Sequence, residues 1–442
     1  MGNKVGVHHL SEPLFTVARD QSAGLFRMSA KAHSGSFAYL GYGSMRSCIF
    51  AFAAVLLGVN PFFMPRIVSR LGLVPGFLAI CVAGFAMLFL SKILAKVRDE
   101  VCRNTYGGVV EKQYGKLAQY LIEILILAYS LAQMTFHQMC LSKLVCSFLE
   151  WVVGTNWLVA EAAIAVINVV VVLPCTLYIH HLTEMKYILS VPVISALFMV
   201  VLILVRAPTH ISTHGQSMQT FKVSNFSIVS WEALAELLLA LDCSRFVLIV
   251  SYELTGYSYR RITKILDKSY GLALIMYLII GCLGYVAFVG STPDWMLVDE
   301  SLSPVSDWGS GTLRVLYILT LLVTLPLNMI PARLSLLHLT TGTTTHPTNK
   351  QFMFATVAIL AFTVVFCVFW YETLYYFSSF ALVVILACCL PSKYHPAFIY
   401  QNLPYQHEGY VAVLSALFMA LTLVALLGLW SLVEISSKVK VS

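Results

Sequence analysis

The chain predicts an all-α integral membrane protein of 11 transmembrane helices, arranged as a five-plus-five inverted repeat with helices 1 and 6 broken. Three observations predict it. Hydrophobic residues make up 59% of the 442 and charged residues only 11%, about half the charge a soluble domain of this size carries on its surface. The mean hydropathy is +0.82, and apolar windows of about 20 residues recur along the chain, the length of a helix crossing a bilayer rather than of a barrel strand. The first of these windows contains Gly58-Val59-Asn60-Pro61-Phe62-Phe63-Met64-Pro65. Each proline removes an N–H donor and clashes with the preceding turn. Unwound backbone at bilayer depth survives only where it lines a cavity or is buried in protein, and in secondary transporters such breaks mark the substrate and ion site.

The candidate spans are Ser47–Arg70, Leu73–Lys96, Leu117–Cys146, Trp157–Leu177, Ile188–Arg206, Val229–Val250, Tyr270–Phe288, Leu313–Leu337, Phe352–Phe369, Leu374–Leu390 and Val411–Val433. Ten of them divide into two halves of five: residues 46–206 form the first repeat and 229–396 the second, joined by an external loop at 207–228. The eleventh span and a C-terminal tail occupy 397–442. An inverted repeat pairs span one with span six. Span six carries Glu236, Asp242, Cys243, Ser244 and Arg245 between apolar flanks, with no Gly or Pro to break it, so its unwinding is inferred from position.

The net charge of +7 is a topology signal, since the basic residues lie mainly between spans. Clusters in the expected loops after spans two (Lys92, Lys96, Arg98, Arg103) and six (Arg260, Arg261, Lys264, Lys268) contrast with the acidic loop after span seven (Asp294, Asp299, Glu300, Asp307). This places the N-terminus in the cytosol. Residues 1–45 read as a cytosolic tail without the apolar core and cleavage site of a signal peptide. Asn225-Phe226-Ser227 is a glycosylation sequon on the external side. Most of the 11 cysteines lie within apolar segments at no metal-binding spacing and read as small packing residues.

Four motifs, in order, resemble the amino acid/auxin permease family of the amino acid–polyamine–organocation transporters. Gly58-Val59-Asn60 through Met64-Pro65 falls on the family's Gly-x-Gly…Leu-Pro, and Cys243-Ser244 with Glu253-Leu254 on its Cys-His…Glu-Leu. Gly284-Tyr285-Val286-Ala287-Phe288 is similar to its Gly-Tyr-x-x-Phe. Thr324-Leu325-Pro326-Leu327-Asn328-Met329-Ile330-Pro331-Ala332-Arg333 is similar to its Ser/Thr-x-Pro-Leu-x-x-x-Pro-x-Arg. The resemblance implies the inverted-repeat fold and amino-acid transport coupled to H⁺ or Na⁺. Two positions depart from it: Asn60-Pro61 replaces the second glycine and its apolar neighbour, and Ser244 stands where many members have His. Both fall at the implied substrate site and leave the substrate class open.

The substrate-binding candidates are Gly58, Val59 and Asn60 in span one with Asp242, Cys243 and Ser244 in span six. Free N–H groups at a broken helix suit a substrate carboxylate, and freed carbonyls suit its ammonium. A proline-kinked packing helix is the alternative for span one. Asp242 is an ion-coupling candidate because a carboxyl at mid-span is a functional hypothesis by default. Arg245, three residues on, offers the alternative of mutual neutralisation. Glu123, Ser130 and His137 recur every seven residues on one face of span three. Glu123 and His137, with Glu236, are proton-relay candidates, against which stands plain interhelical hydrogen bonding. Thr320 and Thr324, with span-one carbonyls such as that of Leu57, form a candidate Na⁺ donor set. The alternative is that both threonines bond back to their own helix.

These readings converge on a secondary active transporter that moves amino acids across a plasma or internal (lysosome- or vacuole-like) membrane by alternating access. It needs no cofactor beyond its coupling ion, has a small-molecule substrate and the bilayer as partners, and binds no nucleic acid. The alternative is an amino-acid-binding nutrient sensor with little or no transport. A channel would require repeated polar rings along a pore, and the sequence shows none. Nothing in it supports an enzyme.

Overall fold

The computed structural model describes residues 43–101, 105–153, 169–174, 176–177, 187–214, 223–224, 227–287, 308–341, 349–369, 377–379, 381–386, 423–424 and 426–427. Within them the secondary structure is helical, with no strand. Six helical segments are long and apolar enough to cross a membrane. The expected spans four and eleven fall largely outside the described residues and span ten in part, as do the N-terminal tail, the acidic loop, Phe288 and the sequon at Asn225.

Span one is three pieces: α1 (Met45–Leu57), a 3₁₀ turn (Asn60–Phe63) and α2 (Met64–Leu71). Ser44 caps α1 by accepting from the Ser47 amide at 3.2 Å. Then follow α3 (Leu73–Val101), α4 (Tyr106–Tyr114), α5 (Lys116–Val153) and α6 (Val191–His214). Span six is α7 (Ile228–Ala240) and α8 (Ser244–Glu253), and the rest is α9 (Tyr259–Ala287), α10 (Trp308–Thr341) and α11 (Asn349–Phe369).

Several helices run past the apolar windows that announced them. Lys92, Lys96 and Arg98 belong to α3, and Arg260, Arg261, Lys264 and Lys268 belong to α9, not to the loops expected after spans two and six. At 29 residues each, these helices are about 43 Å long against about 30 Å of hydrocarbon, so their ends stand in the polar zone where hydropathy no longer registers them. Lys92 and Asp267 join the two helices there at 2.5 Å. The short α4 went unseen because nine residues with Glu111 and Lys112 carry little hydropathy.

Two groups of helices emerge from the packing. Helix α9 lies against α1, α2 and α3, with α7 on α2 and α8 on α3. The other group centres on α5, which packs on α10, α4 and α11. Helix α6 touches both groups through α1, α9 and α10. Span one is the most enclosed, with 78% of its apolar window buried against 33% for α3. Phe77, Leu78, Val82 and Phe85 of α3 face outward, as a lipid-facing stripe should. Gly281 lets α9 approach α2 closely: a Cβ there would sit 3.1 Å from the Val68 side chain and 3.4 Å from the Met64 carbonyl.

Candidate functional site

The two broken helices interrupt side by side, for different local reasons. In span one, α1 ends at Leu57 and Gly58 adopts φ −42°, ψ −108°, outside the helical region. Pro61 then opens the 3₁₀ turn and Pro65 the first turn of α2, the two places where a helix tolerates a missing N–H. The turn is wedged in place by aromatic contacts. Phe62 packs on Tyr317 of α10, ring centroids 3.9 Å apart, and Phe63 on Phe136 of α5 at 5.4 Å.

Span six unwinds over Leu241-Asp242-Cys243 without Gly or Pro. Asp242, one residue before the N-cap Cys243, accepts from the Ser244 amide at 2.8 Å and from its hydroxyl at 2.6 Å, satisfying the first N–H of the new helix α8. A carboxylate at a helix N-terminus meets both free N–H groups and the positive end of the dipole. Its other oxygen accepts from the Tyr129 hydroxyl of α5 at 2.6 Å and from Arg245 Nε at 3.3 Å. The Arg245 guanidinium lies 4.4 Å from the Tyr129 ring centre. Asp242 and Arg245 are 2% and 4% exposed, so each needs the other to remain charged away from water.

Asn60 reaches across the gap between the breaks. Its amide nitrogen donates to the Leu56 carbonyl at 2.9 Å and to the Ala240 carbonyl at 3.1 Å. Tyr277 of α9 directs its hydroxyl at the same two carbonyls. Tyr270 donates to Leu241 O at 3.0 Å and accepts from the Cys243 thiol at 3.3 Å. Ser244 also offers its carbonyl to the hydroxyl of Tyr106 in α4.

On the opposite wall, His137 of α5 donates from Nδ1 to the Gln133 carbonyl at 2.7 Å. That bond leaves Nε2 as the acceptor facing Asn328 Nδ2 of α10, 3.5 Å away. Asn328 is tied in turn to the Thr324 carbonyl at 3.1 Å. Gly58 sits against this group, since a Cβ there would lie 3.2 Å from Thr324 Cγ2 and 3.7 Å from His137 Nε2. Spans one, three, six and eight therefore meet at one buried polar locus.

A family profile described as transmembrane amino acid transporter protein matches residues 41–426, covering both breaks and all these walls. The chain belongs to this family, the amino acid/auxin permeases. Among its relatives, mouse solute carrier family 38 member 10 is 21% identical over 287 residues, 64% of this chain and 26% of that protein. The chain thus spans about a quarter of that relative's length. The Arabidopsis thaliana amino acid transporter AVT6B is 20% identical over 336 residues, 72% of this chain and 73% of that protein. Two solved structures share the fold. MhsT in complex with L-phenylalanine superposes with a TM-score of 0.62 at 13% identity, covering 87% of this chain and 98% of that one. Mhp1, a nucleobase-cation-symport-1 family transporter in a closed conformation with bromovinylhydantoin bound, gives 0.56 at 14%, covering 88% and 90%.

The other candidates disperse. Thr320 turns its hydroxyl to Ser195 of α6 at 2.8 Å and to its own helix at Leu316 O, 2.9 Å. Thr324 bonds back to Leu321 O at 3.3 Å and shows its methyl to Gly58. Leu57 is the buried last residue of α1. Glu123 lies 14 residues from His137 on α5, about 21 Å along the axis. It faces His338 at 3.8 Å, which Gln119 contacts at 3.1 Å. Glu236 is 3.6 Å from Arg66, which also reaches Glu232 at 3.5 Å, and Arg70 holds Glu232 at 2.9 Å. Those pairs join α2 to α7. Arg333 is buried, donating to Thr176 O at 3.2 Å and stacking on Phe352.

Sequence reasoning passed over Tyr129, Tyr277 and Asn328. Tyr129, Gln133 and His137 recur every four residues on α5, a polar stripe that was open to view. Tyr277 offered no such signal. Among the described residues no cluster of three or more His, Cys, Asp or Glu could hold a metal, and Cys48, Cys81, Cys243 and Cys282 are thiols.

Proposed function

We propose that this permease is a secondary active transporter that carries an amino acid by alternating access, with its substrate held where spans one and six are both broken. The observation that carries the reading is the pairing of those breaks in one buried locus, walled by Tyr129 and His137 of α5 and Asn328 of α10. Half-helix ends supply oriented backbone dipoles for a carboxylate and an ammonium where water is excluded. The two packing groups, one around α9 and one around α5, are the bodies that rock about the site. Residues 46–206 and 229–396 form the two inverted repeats within 11 spans, and the N-terminus lies in the cytosol.

Of the two coupling ions, H⁺ is better supported than Na⁺. Thr320 and Thr324 spend their hydroxyls on Ser195, Leu316 O and Leu321 O rather than presenting them toward span one. Asp242 and His137 are titratable groups at the locus itself. The deciding experiment is uptake of labelled amino acids into proteoliposomes under an imposed pH gradient and, separately, an imposed Na⁺ gradient. Concentrative uptake under the pH gradient is the expected result. Uptake driven only by Na⁺ would overturn the choice of ion. Absence of uptake with binding intact would favour the sensor reading, which the bridge by Asn60 and Tyr277 between the half-helices also supports.

A further inference from the structure

The ends of α1 and α7 that meet at the breaks are both C-termini. Each carries the negative end of a helix dipole, equivalent to about half an elementary charge, together with carbonyls that have no intrahelical donor. Two such ends facing one another in a buried site repel, and the arrangement calls for a positive group between them. In this chain the group between them is neutral and covalently attached. Asn60 has two amide N–H groups and directs one nitrogen at Leu56 O (2.9 Å) and Ala240 O (3.1 Å) together. An amide nitrogen has two protons to give, so it serves both carbonyls at once; the Tyr277 hydroxyl, with one proton, serves one at a time.

We propose that the Asn60 side chain stands in for a monovalent cation at the junction of the broken helices, so that the half-helices hold together without Na⁺ or K⁺. The position is specific to this chain's departure from Gly-x-Gly: a glycine at residue 60 would leave Leu56 O and Ala240 O as a pair of oxygen donors converging from two helix ends, the donor type that hard cations take. Asn60 is thus a positioning residue that determines the cation requirement of the site. The inference stands apart from the transport reading, because it concerns what joins the half-helices and not what they carry.

The test measures the melting temperature of the purified full-length protein in NaCl, KCl or N-methyl-D-glucamine chloride at one ionic strength. The wild type is expected to melt at the same temperature in all three. Asn60→Gly is expected to become cation-dependent, its melting temperature rising with the logarithm of Na⁺ or K⁺ concentration as ligand linkage requires. A wild type stabilised by Na⁺ or K⁺ over the organic cation, or a folded Asn60→Gly protein indifferent to all three, would overturn the proposal. Should Asn60→Gly not fold, Asn60→Asp decides. Its carboxylate facing two carbonyls must take a proton or a cation, so at a pH high enough for its stability to fall as the proton leaves, Na⁺ or K⁺ is expected to restore the melting temperature, and no restoration there would sink the idea. Tyr277→Phe keeps Asn60 and should remain cation-indifferent; if it acquires the dependence, Tyr277 and not Asn60 is the bridge.

Discussion

The break in span one and the break in span six meet in space but are made by different chemistry. Span one is interrupted covalently, by two prolines that have no N–H to give and a glycine that accepts ψ −108°. Span six is interrupted by a side chain: Asp242 offers the backbone a better partner than the next helical carbonyl by accepting from Ser244. A covalent break is fixed under all conditions. A break made by a carboxylate depends on the partners of that carboxylate, here Ser244, Tyr129 and Arg245.

The largest effect expected from this difference is at Asp242. Asp242→Ala removes the bonds to Ser244 and leaves the Arg245 guanidinium buried without its carboxylate, which should cost about 3–5 kcal/mol of stability by the precedent of broken buried ion pairs. Asp242→Asn keeps an oxygen for Ser244 but not the charge. It should fold, abolish accumulation driven by a pH gradient and leave substrate exchange partly intact. Full accumulation by Asp242→Asn in proteoliposomes would remove Asp242 from the coupling. By contrast Pro61→Ala should leave span one broken, because Gly58 and Pro65 remain.

Next in size is Tyr129→Phe. The ring stays beneath Arg245 while the 2.6 Å bond to Asp242 is lost. A hydrogen bond to a charged group contributes about 1.5–3 kcal/mol. Chemical or thermal denaturation in detergent should show a loss in that range. A change near zero would mean that water replaces the hydroxyl and that the break in span six is wetter than its burial implies.

Gly58→Ala probes span one in the same way. The added methyl meets Thr324 Cγ2 at 3.2 Å, and overpacking of this kind costs about 1–3 kcal/mol. Thr324→Ser removes the offending methyl, so the double variant should recover part of the loss. Additive losses would show that the strain lies in the backbone and not in the contact.

The contrast between the breaks also explains what the sequence could and could not disclose. Gly58, Pro61 and Pro65 act through covalent structure, so their effect is legible without any neighbour. Asp242 acts through its bonds to Ser244, two residues on, so the break in span six was inferred from position while the carboxylate that makes it was not. Asn60 was recognised as a departure, but that its amide would bridge Leu56 and Ala240, 180 residues apart in the second case, is a tertiary fact. Tyr277 and Tyr129 are aromatic residues in apolar helices and read as packing until their hydroxyls find partners. Asn328 lay inside a quoted motif without being singled out, because an amide in a membrane helix declares a hydrogen bond but not with whom. The helix cores were visible as hydropathy, whereas their polar ends on α3 and α9 were not.

The smallest effect expected is at the ion pairs that tie the half-helices α2 and α7 together. Arg66 and Arg70 are 16% and 20% exposed in their side chains, and Glu232 8%, so the network sits at the edge of the packed interior. Glu232→Gln removes the charge that both arginines share, but Arg66 keeps Glu236 at 3.6 Å. The change should cost no more than about 1 kcal/mol, as partly exposed pairs do. The difference from wild type should shrink as salt is raised from low to near-molar concentration, since screening acts on what solvent can reach. A salt-independent loss of several kcal/mol would place these pairs in the same class as Asp242 with Arg245. Helices α2 and α7 would then be held, like the break in span six, by charge buried away from water.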